Sequence, residues 1–260
     1  MKAMRLKAMV LAAGLGTRLR PLTNDRPKAL VKVAGRTMLE ITLARLREFG
    51  IQDVIINVHH YADLVIDSVK AAGSFGMHIE FSREDILLDT GGGLKQAAWF
   101  LSENGSSDEP FILHNVDIIS AIDLEKMVQF HTENNALATL AVQTRKTSRY
   151  LLFDDQLQLC GRRTVTEDKT EDKTEMVRDA PQMNSHQTSE VAFTGIHVIS
   201  PRIFPLLIEE GVFSIIPAYL RLAAQGEKIM AFNADGTYWR DLGKPENIQQ
   251  AEQDIKAKLV

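Results

Sequence analysis

Leu11-Ala12-Ala13-Gly14-Leu15-Gly16-Thr17-Arg18-Leu19-Arg20-Pro21-Leu22-Thr23, with Pro27-Lys28 shortly after it, decides how this chain is read. Ala8 to Ala13 is an apolar run of strand length that delivers the backbone into two glycines one residue apart. Glycines so placed let the chain turn sharply and lay its N–H groups against an anion. Arg18 and Lys28 add fixed charge: an arginine fork suits two phosphate oxygens, and a lysine is a point charge that can follow one oxygen through a reaction. Together they describe a phosphate-handling loop after a first strand. The Walker pattern is excluded because no Gly-Lys-Ser/Thr follows, and the dinucleotide pattern is excluded because Leu19 stands where a third glycine would be.

Outward from this loop the chain alternates strand and helix. Thr37 can cap a helix carrying Leu39, Ile41, Leu46 and Phe49, which Gly50 ends. Strands are expected at Asp53 to Val58, Met77 to Phe81, Phe111 to His114 and Ala136 to Val142, with helices at Tyr61 to Ala72 and after Asp123. This order predicts an α/β fold with a mostly parallel central sheet flanked by helices, whose ligands sit beyond the carboxyl ends of the strands. Asn115-Val116-Asp117 falls at the same edge as the Gly14 loop. Tyr150 to Phe153 and Gln156 to Leu159 read as a hairpin around Asp154-Asp155. Val191 to Ile199 and Lys228 to Asn233 read as strands, and helices are expected from Pro201, over Ser214 to Gln225 and over Pro245 to Lys258.

Thr164 to Glu190 lacks core-forming residues and repeats Thr-Glu-Asp-Lys at Thr166 and Thr170. It is expected to be a solvated, mobile insertion in one domain spanning residues 1–260. Thirty Lys+Arg against thirty-four Asp+Glu give a net charge of −4 without a basic cluster, so no nucleic-acid footprint is present. The single cysteine, Cys160, fits a reducing cytoplasm. No apolar run approaches the length of a membrane span, and Lys2, Arg5 and Lys7 lead into a strand rather than a signal peptide. His59-His60 would point to opposite faces of a strand, which argues against a metal pair.

Three further stretches point to chemistry. Leu88-Asp89-Thr90-Gly91-Gly92-Gly93-Leu94-Lys95 opens a helix with three glycines, each costing roughly 1 kcal/mol unless something approaches the backbone closely, as a flat nucleobase would. Asp117, and Asp241 in Tyr238-Trp239-Arg240-Asp241-Leu242-Gly243, are hard oxygen ligands of the kind Mg²⁺ accepts. Each follows a strand-like segment, and parallel-sheet geometry is expected to bring them to one edge.

The loop resembles the signature Gly-x-Gly-Thr-Arg-Leu-x-Pro-Leu-Thr … Pro-Lys of the sugar-1-phosphate nucleotidyltransferases, and the likeness runs from Ala8 to Gln253. It implies a Rossmann-like nucleotidyltransferase fold and a reaction joining a nucleoside triphosphate to a sugar 1-phosphate, with release of pyrophosphate. By the same likeness Arg18 holds the β- and γ-phosphates, Lys28 the α-phosphate, and Mg²⁺ sits on Asp117 and Asp241. Leu11, Ala12, Ala13, Gly14, Gly16, Thr17, Gly92, Gly93 and Asn115 meet the nucleotide, and Thr194 and Gly195 line the sugar site. Val116 stands where the family usually has glycine, and the Glu-Lys-Pro motif with which many relatives hold the sugar phosphate is missing. The absence of a fixed-period repeat points to a form without a β-helix.

The nearest likeness in motif is to the short bacterial N-acetylmuramate-1-phosphate uridylyltransferases, with mannose-1-phosphate guanylyltransferases next. The implied partners are UTP or GTP and a sugar 1-phosphate, with neither nucleic acid nor membrane, in a monomer or homodimer. Two other classes stay open: a nucleotide-sugar-dependent glycosyltransferase, which needs no triphosphate loop, and a non-catalytic nucleotide-sugar sensor, which would lose charges that are all present here.

Overall fold

A computed structural model describes residues 6–102, 109–166, 172–177 and 188–259. The strands are β1 (Lys7–Leu11), β2 (Lys32–Val33), β3 (Arg36–Thr37), β4 (Asp53–Val58), β5 (His78–Arg83), β6 (Phe111–Asn115) and β7 (Ile118–Ser120). They continue with β8 (Ala138–Gln143), β9 (Arg149–Phe153), β10 (Leu159–Thr164), β11 (Lys173–Met176), β12 (Ser189–Ile199), β13 (Ile229–Asn233) and β14 (Trp239–Asp241). The helices are α1 (Met38–Glu48), α2 (Ala62–Ala71), α3 (Asp89–Gln96), α4 (Ala98–Leu101), α5 (Leu124–Glu133), α6 (Ile215–Ala224) and α7 (Pro245–Lys256).

Ten strands form the main sheet, in the order β11-β10-β9-β12-β6-β1-β4-β5, with β8 on β12 and β13 on β8. The half that carries the glycine loop is parallel: β6, β1, β4 and β5 lie side by side with right-handed helical crossovers expected between them. Beyond β6 the long strand β12 runs antiparallel to β6, β8 and β9 and joins the two halves. Every residue of β4 is buried, as strands covered on both faces require. Alternate side chains feed two cores: Ala8, Val10, Val54, Ile56 and Ile112 pack beneath α1, α2, α5 and α7. Met9, Ile55, Phe111 and Leu113 pack beneath α3, α4 and α6.

Thr37 caps α1 as expected, its hydroxyl accepting from the Glu40 amide while Glu40 reaches back to the Thr37 N–H. Asp123 caps α5 in the same way through the Lys126 amide. The expected hairpin is shifted. The Asp154 carboxylate accepts from the amides of Gln156 (3.0 Å) and Gln158 (2.8 Å), so 154–158 is a self-bonded turn and its second strand starts only at Leu159. Within the polar tract, β11 adds to β10 with all four residues exposed. The close approach explains Gly161, since a Cβ there would stand 2.5 Å from the Glu175 carbonyl oxygen. Of the tract 164–190 expected to be mobile, residues 167–171 and 178–187 lie outside the described residues. No helix among the described residues is long and apolar enough to cross a membrane.

Candidate active site

The carboxyl ends of β1, β4 and β6 open onto a cavity of about 330 Å³. Leu11, Ala13, Gly14 and Lys28 form one wall, Asn115, Val116 and Asp117 another, and Asn57, Glu84, Leu87, Asp89, Thr90 and Val212 the rest. Gly14 leaves its side of the backbone open, with no atom near the position of a Cβ. Gly16 has a different duty: its φ of +65° starts the short helical turn at Thr17, and a Cβ there would press to 3.0 Å on both Lys28 Cβ and Thr23 Cγ2. Thr23 locks the loop by donating its hydroxyl to the Gly16 carbonyl at 2.8 Å. The Lys28 stem is thereby seated against the loop, and its ammonium makes an ion pair with Oδ2 of Asp117.

Asp241 reaches the site by a route other than the expected parallel edge. β14 pairs antiparallel with β7, Asp241 opposite Ile118, and the Leu242 amide donates to the Asp117 carbonyl at 2.8 Å. A two-stranded ribbon, separate from the main sheet, therefore brings the two aspartates together. α7 braces it: Tyr238 donates to Asp254 at 2.7 Å, and Arg240 pairs with the same carboxylate at 2.7 Å. Arg240 and Tyr238 hold the Asp254 carboxyl below the usual aspartate range together with Gln250, whose hydrogen bond is the largest contributor. The Gly243 amide donates to Oδ1 of Asp241 at 2.6 Å. Arg18 stands on this side, since a Cβ on Gly243 would be 2.6 Å from its Nη2 and 2.7 Å from Asp241 Oδ1. Among the described residues no group of three or more His, Cys, Asp or Glu gathers as a metal cage. Asp117 lines the cavity and Asp241 follows on the neighbouring strand β14, two hard oxygen donors of the kind a divalent cation accepts when substrate phosphate and water complete its shell.

The glycines of α3 are each met closely by other parts of the fold. All three are buried. A Cβ at Gly91 would run into the Phe213 ring and at Gly92 into the Gly211 carbonyl, while at Gly93 it would stand 2.7 Å from Glu84 Oε1 and 2.9 Å from Asn57 Nδ2. The amides of Gly91 and Gly92 both donate to the Phe213 carbonyl. Thr194 is buried too, its hydroxyl donating to the Ala141 carbonyl at 2.8 Å. Gly195 adopts φ +86° at the β12 bulge, and a Cβ there would crowd Asn115 Nδ2 at 2.8 Å. It makes room for Asn115 first.

Asn57 and Glu84 were not singled out by sequence, and they tie the site together. The Ala12 amide donates to Asn57 Oδ1 at 2.7 Å, Asn57 Nδ2 donates to Glu84 Oε1 at 2.7 Å, and the Leu88 amide donates to Glu84 Oε2 at 2.9 Å. A polar residue near the end of an otherwise apolar strand was the available signal for Asn57. His59 Nδ1 donates to the Glu84 carbonyl and His60 packs on Tyr61. Behind Asn115, His114 is buried and pushed down to about 4, so it is neutral and its Nδ1–H donates to the Asn115 carbonyl at 2.8 Å.

Residues 7–258 match the family model described as nucleotidyl transferase. The chain is 34% identical to the N-acetylmuramate alpha-1-phosphate uridylyltransferase of Caulobacter vibrioides, over 94% of this chain and 95% of that protein. It is 30% identical to the mannose-1-phosphate guanylyltransferase of Mycobacterium tuberculosis, over 96% of this chain and 65% of that one. Among solved structures, HddC from Yersinia pseudotuberculosis complexed with GMP-PN superposes with a TM-score of 0.72 at 21% identity, over 96% and 99% of the two chains. A UDP-glucose pyrophosphorylase complexed with UDP-glucose gives 0.71 at 18%, over 97% and 99%. On these likenesses the chain belongs to the nucleotidyl transferase family as a sugar-1-phosphate nucleotidyltransferase.

Proposed function

We propose that the chain transfers a uridylyl group from UTP to an amino-sugar 1-phosphate of the N-acetylmuramate type in the cytoplasm, supplying cell-wall synthesis with a nucleotide sugar. The observation that carries this reading is the meeting of Gly14, Lys28, Asn115 and Asp117 around one cavity. The choice of base and sugar rests on the Caulobacter vibrioides relative, which matches almost from end to end. GTP with mannose 1-phosphate is the second reading, favoured by relatives of that name at 26–30% identity.

In this reading an oxygen of the sugar phosphate attacks the α-phosphorus of the triphosphate, and the bond to the departing pyrophosphate breaks in line. Little covalent work falls to the protein, so positioning and charge neutralisation carry the rate. The glycine-loop backbone, from Leu11 to Thr17, cradles the triphosphate, with Arg18 on its β- and γ-phosphates. Lys28 leaves Asp117 for the α-phosphate. Asp117 and Asp241 would hold a divalent cation, Mg²⁺ in our reading, which supplies charge neutralisation to the transferred group. Asn115, Gly92 and Gly93 border the nucleoside and Gly195 the sugar.

Pyrophosphate release over a panel of UTP, GTP, CTP and dTTP against N-acetylmuramate, mannose and glucose 1-phosphates tests the proposal. The highest kcat/KM is expected for UTP with N-acetylmuramate 1-phosphate. A higher value for GTP with mannose 1-phosphate would replace the first reading by the second.

A further inference from the structure

The sequence left no residue for the phosphate of the sugar, because no Glu-Lys-Pro precedes β12. The structure holds a cation between β12 and β14, Arg145, that has no role in the sequence reading. Arg145 lies just past the end of β8, and its segment is pinned in place. Gln143 donates to the carbonyls of Ala234 (3.0 Å) and Thr237 (2.8 Å), and the Thr144 amide and hydroxyl both donate to Asp235, at 2.6 and 2.8 Å. The guanidinium lies over the indole of Trp239, Cζ 3.9 Å from the ring centroid, and Nη2 donates to the Phe193 carbonyl at 2.8 Å. Trp239 is itself fixed, its Nε1 donating to the Thr194 carbonyl at 2.8 Å.

The arrangement places Arg145 where β8, the Phe193-Thr194-Gly195 stretch of β12 and β14 converge. Trp239 and Asp241 are two residues apart on β14 and share a face, so a guanidinium stacked on Trp239 stands on the Asp241 side. Its Nε is buried and has no hydrogen-bond partner among the described residues. Burial disfavours its charge, and attraction to Asp241 offsets part of that cost. Asp241 is occupied by the Gly243 amide and by its place beside Asp117. A half-buried arginine with spare donors, held rigidly by stacking, is a poor arrangement unless an anion completes it. With the triphosphate loop supplied by Arg18 and Lys28, the anion without an assigned partner is the phosphate of the acceptor.

We propose that Arg145 grips the phosphate of the sugar 1-phosphate and replaces in this chain the lysine that many relatives carry. The assignment rests on the nucleotidyl-transfer reading above. The fixed fork offers two oxygens of a phosphate monoester parallel donors and orients the remaining oxygen toward the α-phosphorus. Stacking on Trp239 removes the freedom an arginine would otherwise lose on binding.

The test varies N-acetylmuramate 1-phosphate and UTP separately in the pyrophosphate-release assay, for wild type, Arg145→Met and Arg145→Lys. Arg145→Met should raise the KM for the sugar phosphate by roughly 10- to 100-fold, the scale of a lost charge-assisted fork, and leave the KM for UTP within about twofold. Arg145→Lys keeps charge without the fork and should fall between, which also covers the case in which the Met variant folds poorly. Calorimetric titration with Mg²⁺·UTP and no acceptor should give unchanged affinity for both variants. An unchanged sugar-phosphate KM in an active variant overturns the proposal, and so does an equal rise in both KM values. If the wild-type protein releases pyrophosphate with no acceptor in the panel, the nucleotidyl-transfer reading itself fails, a result distinct from either of those.

Discussion

Lys28→Met removes one charge and keeps the length of the stem that lies against the Gly16 loop. Two consequences separate cleanly. In catalysis, the ammonium that should meet the α-phosphate is lost, and turnover at saturating substrates should fall by roughly 10²- to 10³-fold, or about 3–4 kcal/mol of transition-state stabilisation. In the unliganded protein, Asp117 loses its ion-pair partner. The side chains of the pair are only 12% and 15% exposed, so water screens them poorly. Breaking a fully buried pair costs about 3–5 kcal/mol, and the residual exposure brings the expectation here to about 2 kcal/mol. For a protein of this size that is a fall in Tm of roughly 4–8 °C. Adding Asp117→Asn should restore most of the Tm, since no uncompensated charge remains, and none of the activity. Mg²⁺ should stabilise Lys28→Met more than wild type, because Asp117 no longer has to release Lys28 to take a cation. Calorimetric melts with and without Mg²⁺, beside single-turnover rates, make the measurement. Near-normal turnover would remove Lys28 from the chemistry, and an unchanged Tm would show that the ion pair contributes nothing to the folded state.

Asp117→Asn and Asp241→Asn should each abolish most activity, with the double variant little worse than either, because groups that share one cation act as a unit; losses that multiply would separate them. Activity should vanish with chelator and return with Mg²⁺, and indifference to chelator in a rate assay would contradict the paired-carboxylate site. Replacing residues 167–187 by a short Gly/Ser linker should leave the fold intact, since the ion pairs lost with it, Arg162–Glu175 and Arg163–Asp172, are solvent-screened; a Tm drop beyond a few degrees would show that β11 supports the core. His114, His131 and His197 are pushed down by burial to about 4, 4 and 3. Their folded values lie below the ordinary 6.5, so the unfolded chain binds the protons first and stability is lost as pH falls from about 6.5 toward 4. The combined slope approaches about 4 kcal/mol per pH unit near pH 5, and Tm measured against pH should flatten there in His131→Gln.

The parallel half of the sheet was legible because its residues obey one rule at a time. Asp53 to Val58 is mostly apolar and buried on both faces, and Thr37 with Glu40 signals the start of α1 without reference to anything distant. The site was legible where a loop carries its own chemistry, as at Gly14, Gly16 and Lys28. It was less legible where long-range packing decides. The glycines of α3 answer to Phe213, Gly211 and Glu84, more than a hundred positions away in two of the three cases. Thr194 answers to the Ala141 carbonyl, 53 positions earlier. Asp241 was placed at the right end of the molecule by the wrong geometry, since antiparallel pairing of three-residue strands leaves almost no periodic trace. Arg145 had no local mark at all, for its meaning comes from an indole 94 positions later.

The ribbon of β7 and β14 also has a meaning in time. Lys28 and Asp117 leave the ribosome early, and Asp241 follows Asp117 by 124 positions, which at roughly 5–20 residues per second is an interval of about 6–25 s. Throughout it the emerging polypeptide owns the glycine loop and one carboxylate and lacks the other. Only when β12, α6 and β13 have been made can β14 lie down on β7, so the order of translation withholds the second half of the cation site until the walls around it are standing.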